Sequence, residues 1–257
     1  MKRISRGSAT SRPALLGAVV LLALTSASVA AADDGPGPFG VTVDAVANRW
    51  SARVGALFAA DGAGRPAGGH FCTASVAHSP RGDLIVTAAH CLDDPGRDLV
   101  FVPGYRAGRA PYGVWRVTRR FLPDGWTRDR DEDSDLAFAT VAGRGGGRVE
   151  DAVGAYRFTP GVATGATGVT VTGYPASREV PITCTDKPAR HGRTQQRVDC
   201  PDFTGGTSGS PWVNGDHEIV GVLGGHEEGG STAGTSYSVA LGRLAAELYE
   251  EAAAEPS

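Results

Sequence analysis

The chain has 257 residues, among them 37 glycines, 16 prolines and four cysteines. Glycine plus proline is about a fifth, short of the roughly 25–30% that marks low-complexity disorder, and 41% hydrophobic residues suffice for a packed core. A formal net charge of −3 argues against a nucleic-acid binder held by a basic surface, and no apolar run reaches the roughly 18 residues of a membrane span.

The amino terminus reads as an export signal. Lys2, Arg3, Arg6 and Arg12 form a positive start without an acid, and Ala14 to Leu24 is unbroken by any polar residue. Ser28-Val29-Ala30, followed by Ala31 and Ala32, offers small residues for cleavage. Residues 1–30 are therefore expected to be a secretory signal peptide. Removing its four basic residues from 25 leaves 21 against 28 acidic ones, net −7. Residues 31–52, opening on Asp33-Asp34-Gly35-Pro36-Gly37-Pro38, read as an N-terminal lead or short propeptide.

From Val54 onward the chain alternates short β-like runs with Gly, Pro and Asp turns. The runs begin at Val54, Leu84, Val114, Leu136, Gly168 and Glu218. This spacing predicts an all-β sandwich or barrel. The stretch from Gly143 to Arg148 is the best internal boundary, which gives a first β unit over 53–142, a linker over 143–150 and a second unit over 151–257. One helix is expected near the end, where Leu241, Leu244 and Leu248 form an apolar stripe among Ala and Glu.

Export would make the four cysteines a pair of disulfides. Three connectivities exist; Cys72–Cys91 and Cys184–Cys200 would close the short local loops, each contributing about 3 kcal/mol by loop entropy. A zinc site built on Cys72, Cys91 and nearby histidines lacks any pair of cysteines two residues apart, and no metal is expected.

Three segments carry candidate chemistry. Gly205-Gly206-Thr207-Ser208-Gly209-Ser210-Pro211 sets a serine in a turn whose backbone N–H groups can converge on a developing negative oxygen. Leu84-Ile85-Val86-Thr87-Ala88-Ala89-His90-Cys91 ends a β run on a histidine that a cysteine can pin. In the acidic run Asp129 to Asp135, Ser134 and Thr140 stand where a calcium loop needs Gly and Glu, so an EF-hand is rejected. Most of that run reads as a solvated loop; Asp135 differs because an apolar strand follows it directly. Arg81-Gly82-Asp83 matches an adhesion tripeptide but reads as a hairpin turn.

Thr87-Ala88-Ala89-His90-Cys91, Asp135-Leu136-Ala137-Phe138 and Gly206-Thr207-Ser208-Gly209-Ser210-Pro211 together resemble the three catalytic boxes of the chymotrypsin-like serine peptidases, in the chain order His, Asp, Ser of that fold. Gly173-Tyr174-Pro175 and Ser-Gly-Ser-Pro are similar to the bacterial secreted branch with the V8-like glutamyl endopeptidases. The resemblance spans roughly residues 53 to 250. It implies an all-β fold of two six-stranded antiparallel β-barrels with a C-terminal helix. It implies catalysis by His90, Asp135 and Ser208, with the N–H groups of Gly206 and Ser208 as oxyanion hole. No cofactor is required, and the partner is a protein or peptide substrate cut by a secreted, extracellular monomer.

The chain departs from that pattern in several places. Thr207 stands where trypsin-type enzymes carry the aspartate that pairs with a new amino terminus, so no such zymogen switch is expected. Asp202, six residues before Ser208, falls where a basic substrate side chain would be bound, although Cys200 and Pro201 disturb the alignment. Leu223 occupies the place of the histidine of glutamyl enzymes, and His226 lies three residues on. Gly224 and Gly225 imply an open pocket wall, with Gly224 replacing a serine that would bond the catalytic aspartate. The rival functions are a catalytically silent homologue that binds protein and a serine esterase.

Overall fold

The computed structural model describes residues 38–60, 69–143 and 145–254; the export signal expected over 1–30 lies outside them. The described chain opens with β1 (Val41–Asp44). Six strands then follow: β2 (Val54–Ala59), β3 (His70–Val76), β4 (Leu84–Thr87), β5 (Leu99–Pro103), β6 (Trp115–Phe121) and β7 (Ala137–Val141). They close into an antiparallel barrel in the order β2-β3-β4-β7-β6-β5.

Side-chain alternation explains why β2, β4, β5 and β7 are nearly all apolar, whereas β6 alternates buried Trp115 and Val117 with exposed Arg116 and Thr118. Leu57, Ala74, Ile85, Phe101, Val117 and Ala139, one phase of all six strands, belong to one buried cluster. The other phase, including Ala56, Phe58, Leu84, Val86, Val102 and Phe138, joins Tyr174, Val213, Ile219 and Val222 of the second half in a shared cluster. A strand buried on both faces needs apolar residues in succession, which hides the period of two.

The second half contains β8 (Arg157–Phe158), β9 (Val169–Gly173), β10 (Ile182–Asp186), β11 (Ala189–His191), β12 (Gln195–Val198), β13 (Pro211–Asn214), β14 (Glu218–Val222) and β15 (Ser236–Val239). Its strands form a six-stranded sheet, β1-β10-β9-β13-β14-β8, and a three-stranded sheet, β11-β12-β15. Among the described residues the isolated bridge from Leu223 to Ser238 and the Gly224 N–H on the Tyr237 carbonyl at 3.0 Å link the two sheets. Beside the bridge the Val222 N–H donates to the Ser238 hydroxyl at 2.9 Å, where a continued ladder would use a carbonyl. The second expected barrel is thus two sheets around a common core of Val171, Ile182, Val198, Trp212 and Leu223.

Two expectations shift. Val41–Asp44, inside the expected lead, is hydrogen-bonded to β10 in register from Val41–Thr185 to Asp44–Ile182. The helix stripe also moves. Of the three α-helices among the described residues, α1 (Asp124–Asp129), α2 (Val149–Val153) and α3 (Arg243–Ala254), the last buries Ala245, Leu248 and Ala252, while Leu244 is 64% exposed. Positions 245, 248 and 252 keep the i, i+3, i+7 spacing of one helix face, with two alanines that give a weak signal in sequence. Arg81 donates to the carbonyls of Ala252 and Ala253 at the end of α3, where a cation suits the helix dipole. Gly82 has a φ of +64°, so the tripeptide is a tight turn tied to the helix.

Both disulfides join the local partners, Cys72–Cys91 and Cys184–Cys200, with Cα–Cα distances of 6.1 and 6.0 Å. Cys184 and Cys200 lie in the core of the second half. Replacing both by serine is expected to lower unfolding stability by about 3 kcal/mol. Guanidinium denaturation monitored by tryptophan fluorescence checks this; an unchanged midpoint would contradict it.

Candidate active site

The histidine segment is built by β4 and a turn. The strand ends at Thr87, and Ala88 and Ala89 are fully buried, so the short 3-10 turn Ala89–Cys91 can fold tightly against the barrel. Cys91 fixes the far end of that turn to Cys72 in β3. His90 is held between, with 11% of its side chain exposed.

Asp135 follows a second 3-10 turn, Glu132–Ser134, immediately before β7. Its side chain has no exposure. A buried carboxylate is tolerated only with partners, and three N–H groups provide them. The His90 backbone N–H donates to Oδ1 at 3.0 Å. His90 Nδ1 and the Gly225 N–H both reach Oδ2 at 2.8 Å. An ionised carboxylate only accepts, so Nδ1 carries the proton and Nε2 is left bare.

The His90 pKa is raised above its ordinary value of 6.5. Burial acts against the imidazolium, but the hydrogen bond and charge of Asp135, followed by the charges of Glu228 and Asp93, outweigh it.

The serine turn is defined by where its carbonyls go. Gly205 O accepts from the Ala176 N–H at 2.8 Å, and Thr207 O accepts from the Ser210 N–H and hydroxyl at 3.0 and 2.6 Å. Ser208 O accepts from the Thr73 N–H at 2.8 Å. In a trans peptide the N–H points opposite its carbonyl. The N–H groups of Gly206 and Ser208 are thereby turned away from these anchors, and neither meets an acceptor among the described residues.

His90 and Asp135 are in direct contact. Ser208 is brought to them through main chain: its carbonyl lies 3.8 Å from Cys91 Sγ, next to His90. Its hydroxyl does not bond to His90 among the described residues; it donates to the Glu228 carbonyl at 3.4 Å.

The expected pocket residues, Asp202, Gly224, Gly225 and His226, lie as follows. Asp202 is exposed, with a φ of +68°, while Phe203 turns inward to the core of the second half. The Cys184–Cys200 bond lies just upstream. Gly224 does adjoin Asp135, but its neighbour Gly225 supplies the bond through the backbone. A Cβ on Gly224 would stand 2.8 Å from Asp135 Oδ2 and 3.2 Å from the Ala88 Cβ. Beyond Gly225 the chain enters a turn, His226–Gly229, with Glu227 and Glu228 at φ of +49° and +55°. The His226 N–H donates to Gln195 Oε1, and its ring faces Glu132 at 3.3 Å, beside His191 and Tyr237.

Sequence reasoning missed Glu132 and Asp133. Glu132 Oε1 accepts from the Glu227 N–H at 2.8 Å, and Asp133 Oδ1 accepts from Thr194 Oγ1 and Gln195 Nε2, each at 2.9 Å. The acidic run is thus a cross-link between the two halves. It also missed Thr73, whose only local signal is its place beside Cys72.

Thr207 is buried, and its hydroxyl donates to Thr204 O at 2.7 Å, so it offers no charge to an amino terminus. Among the described residues, Cys72, His90 and Cys91 are the group of three metal-ligand types found close together, within 4.8 Å. Both sulfurs are spent in the disulfide and His90 Nδ1 on Asp135, so this donor set does not suit a metal ion. No helix among the described residues is long and apolar enough to cross a membrane.

Residues 72–222 match the trypsin-like peptidase domain. A crystal structure of the protease Anisep from Arthrobacter nicotinovorans is 26% identical, with a TM-score of 0.69 over 79% of this chain and 96% of that one. A Glu endopeptidase structure superposes with a TM-score of 0.68 at 18% identity, over 86% of this chain and 99% of its own, a likeness of fold alone. A curated protein of Bacillus subtilis (strain 168), named an extracellular metalloprotease, is 29% identical over 136 residues, 50% of this chain. That match spans 42% of the relative, less than half its length.

Serine at position 224, expected from the resemblance, should damage the site because its Cβ displaces Asp135. Gly224→Ser is expected to lower kcat about tenfold or more, since misplacement near 1 Å can cost on the order of a hundredfold. Peptide or ester turnover measures it; an unchanged or higher kcat would contradict the packing argument.

Proposed function

The chain belongs to the trypsin-like peptidase family, and from that premise we propose that it is a secreted serine endopeptidase acting through His90, Asp135 and Ser208. The observation that carries the reading is the buried Asp135 carboxylate on His90 Nδ1, an arrangement that suits Nε2 to act as a base. The disulfides fit an oxidising compartment, in keeping with the export signal expected over 1–30.

In this reading the Ser208 hydroxyl turns from the Glu228 carbonyl towards His90 Nε2 when substrate enters. Its oxygen attacks the scissile carbonyl while His90 takes the proton. The negative oxygen of the tetrahedral intermediate is received by the N–H groups of Gly206 and Ser208. His90 then hands its proton to the leaving amine, giving an acyl-enzyme on Ser208 that water hydrolyses by the same route in reverse. Asp135 holds Nδ1 and stabilises the imidazolium. The substrate is a protein or peptide; beside the site Asp202 is exposed and the His226 ring faces Glu132.

A catalytically silent protein-binding homologue draws support from one feature, the Ser208 hydroxyl facing Glu228. Labelling with a fluorophosphonate separates the two. Folded wild-type protein is expected to label at Ser208 and to cleave peptides, with Ser208→Ala abolishing both, a loss on the order of a millionfold in turnover. Folded protein that never labels would sink the enzymatic reading.

The direction of the His90 shift predicts the pH profile. His90 must be neutral to act as base, so activity should appear as pH rises through the raised pKa, with the acidic limb of kcat/KM above 6.5. Glu228→Gln keeps the backbone but removes a charge that favours the imidazolium, and should move that limb to lower pH. A limb that does not move would contradict the electrostatic role of Glu228.

A further inference from the structure

Thr73 is fully buried near the start of β3, 135 positions before the serine turn. Every polar group it has is spent on the serine turn or its supports. Its N–H donates to Ser208 O at 2.8 Å, and its carbonyl accepts from the Thr87 hydroxyl at 2.7 Å. Its own hydroxyl donates to Gly206 O at 3.0 Å and accepts from the Tyr174 N–H at 2.9 Å.

The Gly206 carbonyl belongs to the peptide that lies between the two candidate oxyanion donors. The Gly205 carbonyl is held by Ala176, which fixes the Gly206 N–H; the Thr207 carbonyl is held by Ser210, which fixes the Ser208 N–H. Whether those two N–H groups converge depends on the torsions of the peptide in the middle. Gly206, at a φ of +97°, has no side chain to restrain that peptide. The Thr73 hydroxyl and the Thr204 carbonyl, which accepts the Thr207 N–H at 3.1 Å, restrain it instead.

We propose that Thr73 is a positioning residue for the oxyanion hole: its hydroxyl, from the first barrel, sets the direction of the Gly206 carbonyl and so the convergence of the Gly206 and Ser208 N–H groups. The hydroxyl is oriented in turn by the Tyr174 N–H, which leaves its proton free for Gly206 alone. The inference rests on the serine-peptidase reading and adds to it a residue outside the three boxes. A hydroxyl is needed and a methyl is not, so serine can replace threonine while valine, of the same shape, cannot.

The test compares Thr73→Ser, Thr73→Val and Thr73→Ala with the wild type, all with rates expressed per active site titrated with a fluorophosphonate. Thr73→Val and Thr73→Ala are expected to lower kcat about tenfold to a hundredfold with KM within about twofold, because the loss falls on the transition state. Thr73→Ser should recover most of it. A peptide boronate, whose adduct places an oxygen in the oxyanion hole, should lose its advantage over the same peptide without boron by a similar factor. Valine and serine variants that behave alike would overturn the proposal. So would a loss that disappears per folded molecule, or valine and alanine variants that fail to fold, since each assigns the hydroxyl to stability alone. Wild-type protein that folds but neither labels nor cleaves would fail the peptidase reading and take this inference with it, whereas an active wild type with indifferent variants fails the inference alone.

Discussion

A carboxylate with no access to water organises the candidate site. Asp135 would be very costly in that position without partners, and the chain satisfies it with one imidazole and two backbone N–H groups from separate segments. Each bond has a structural consequence. The His90 backbone bond sets the 3-10 turn after β4, the Nδ1 bond sets the tautomer, and the Gly225 bond draws the start of the 226–229 turn against the first barrel. Gly224 follows from this: with Gly225 already on Oδ2, no room remains for a side chain at 224.

The second constraint is the dipeptide Cys72-Thr73. Cys72 holds the histidine turn through its disulfide, and Thr73 holds the serine turn through its backbone and hydroxyl. Two segments 118 positions apart, at 90 and 208, are thus referred to two adjacent residues of one strand. That arrangement limits how far the histidine and serine can drift independently. Beside Ser208 stands the turn carrying Glu227 and Glu228, whose left-handed backbone at non-glycine residues costs on the order of 1 kcal/mol each.

Much of this was legible in the sequence, for identifiable reasons. Leu84-Ile85-Val86-Thr87 is a strand as expected, because an apolar run bounded by a turn carries its own signal. The histidine, aspartate and serine segments each keep their pattern in adjacent residues. What escaped notice acts at long range. Thr73 and Gly206, or Glu132 and Glu227, meet only after the halves fold together, and no local period marks them. Val41–Asp44 was hidden for another reason: Val41 and Val43 are 47% and 54% exposed, so the strand is held by its backbone ladder with β10 and shows no core pattern. A gapless count from Ser208 also carries no sign of the left-handed turn at Asp202.

The central claim is that Asp135 fixes the proton of His90 on Nδ1 and leaves Nε2 available to Ser208. Nitrogen-15 NMR of the His90 imidazole, followed against pH, tests it most directly. The account predicts a neutral ring at alkaline pH with Nδ1 protonated and Nε2 bare, gaining its second proton with an apparent pKa above 6.5. A neutral ring protonated on Nε2, or one whose titration falls below that value, would contradict it.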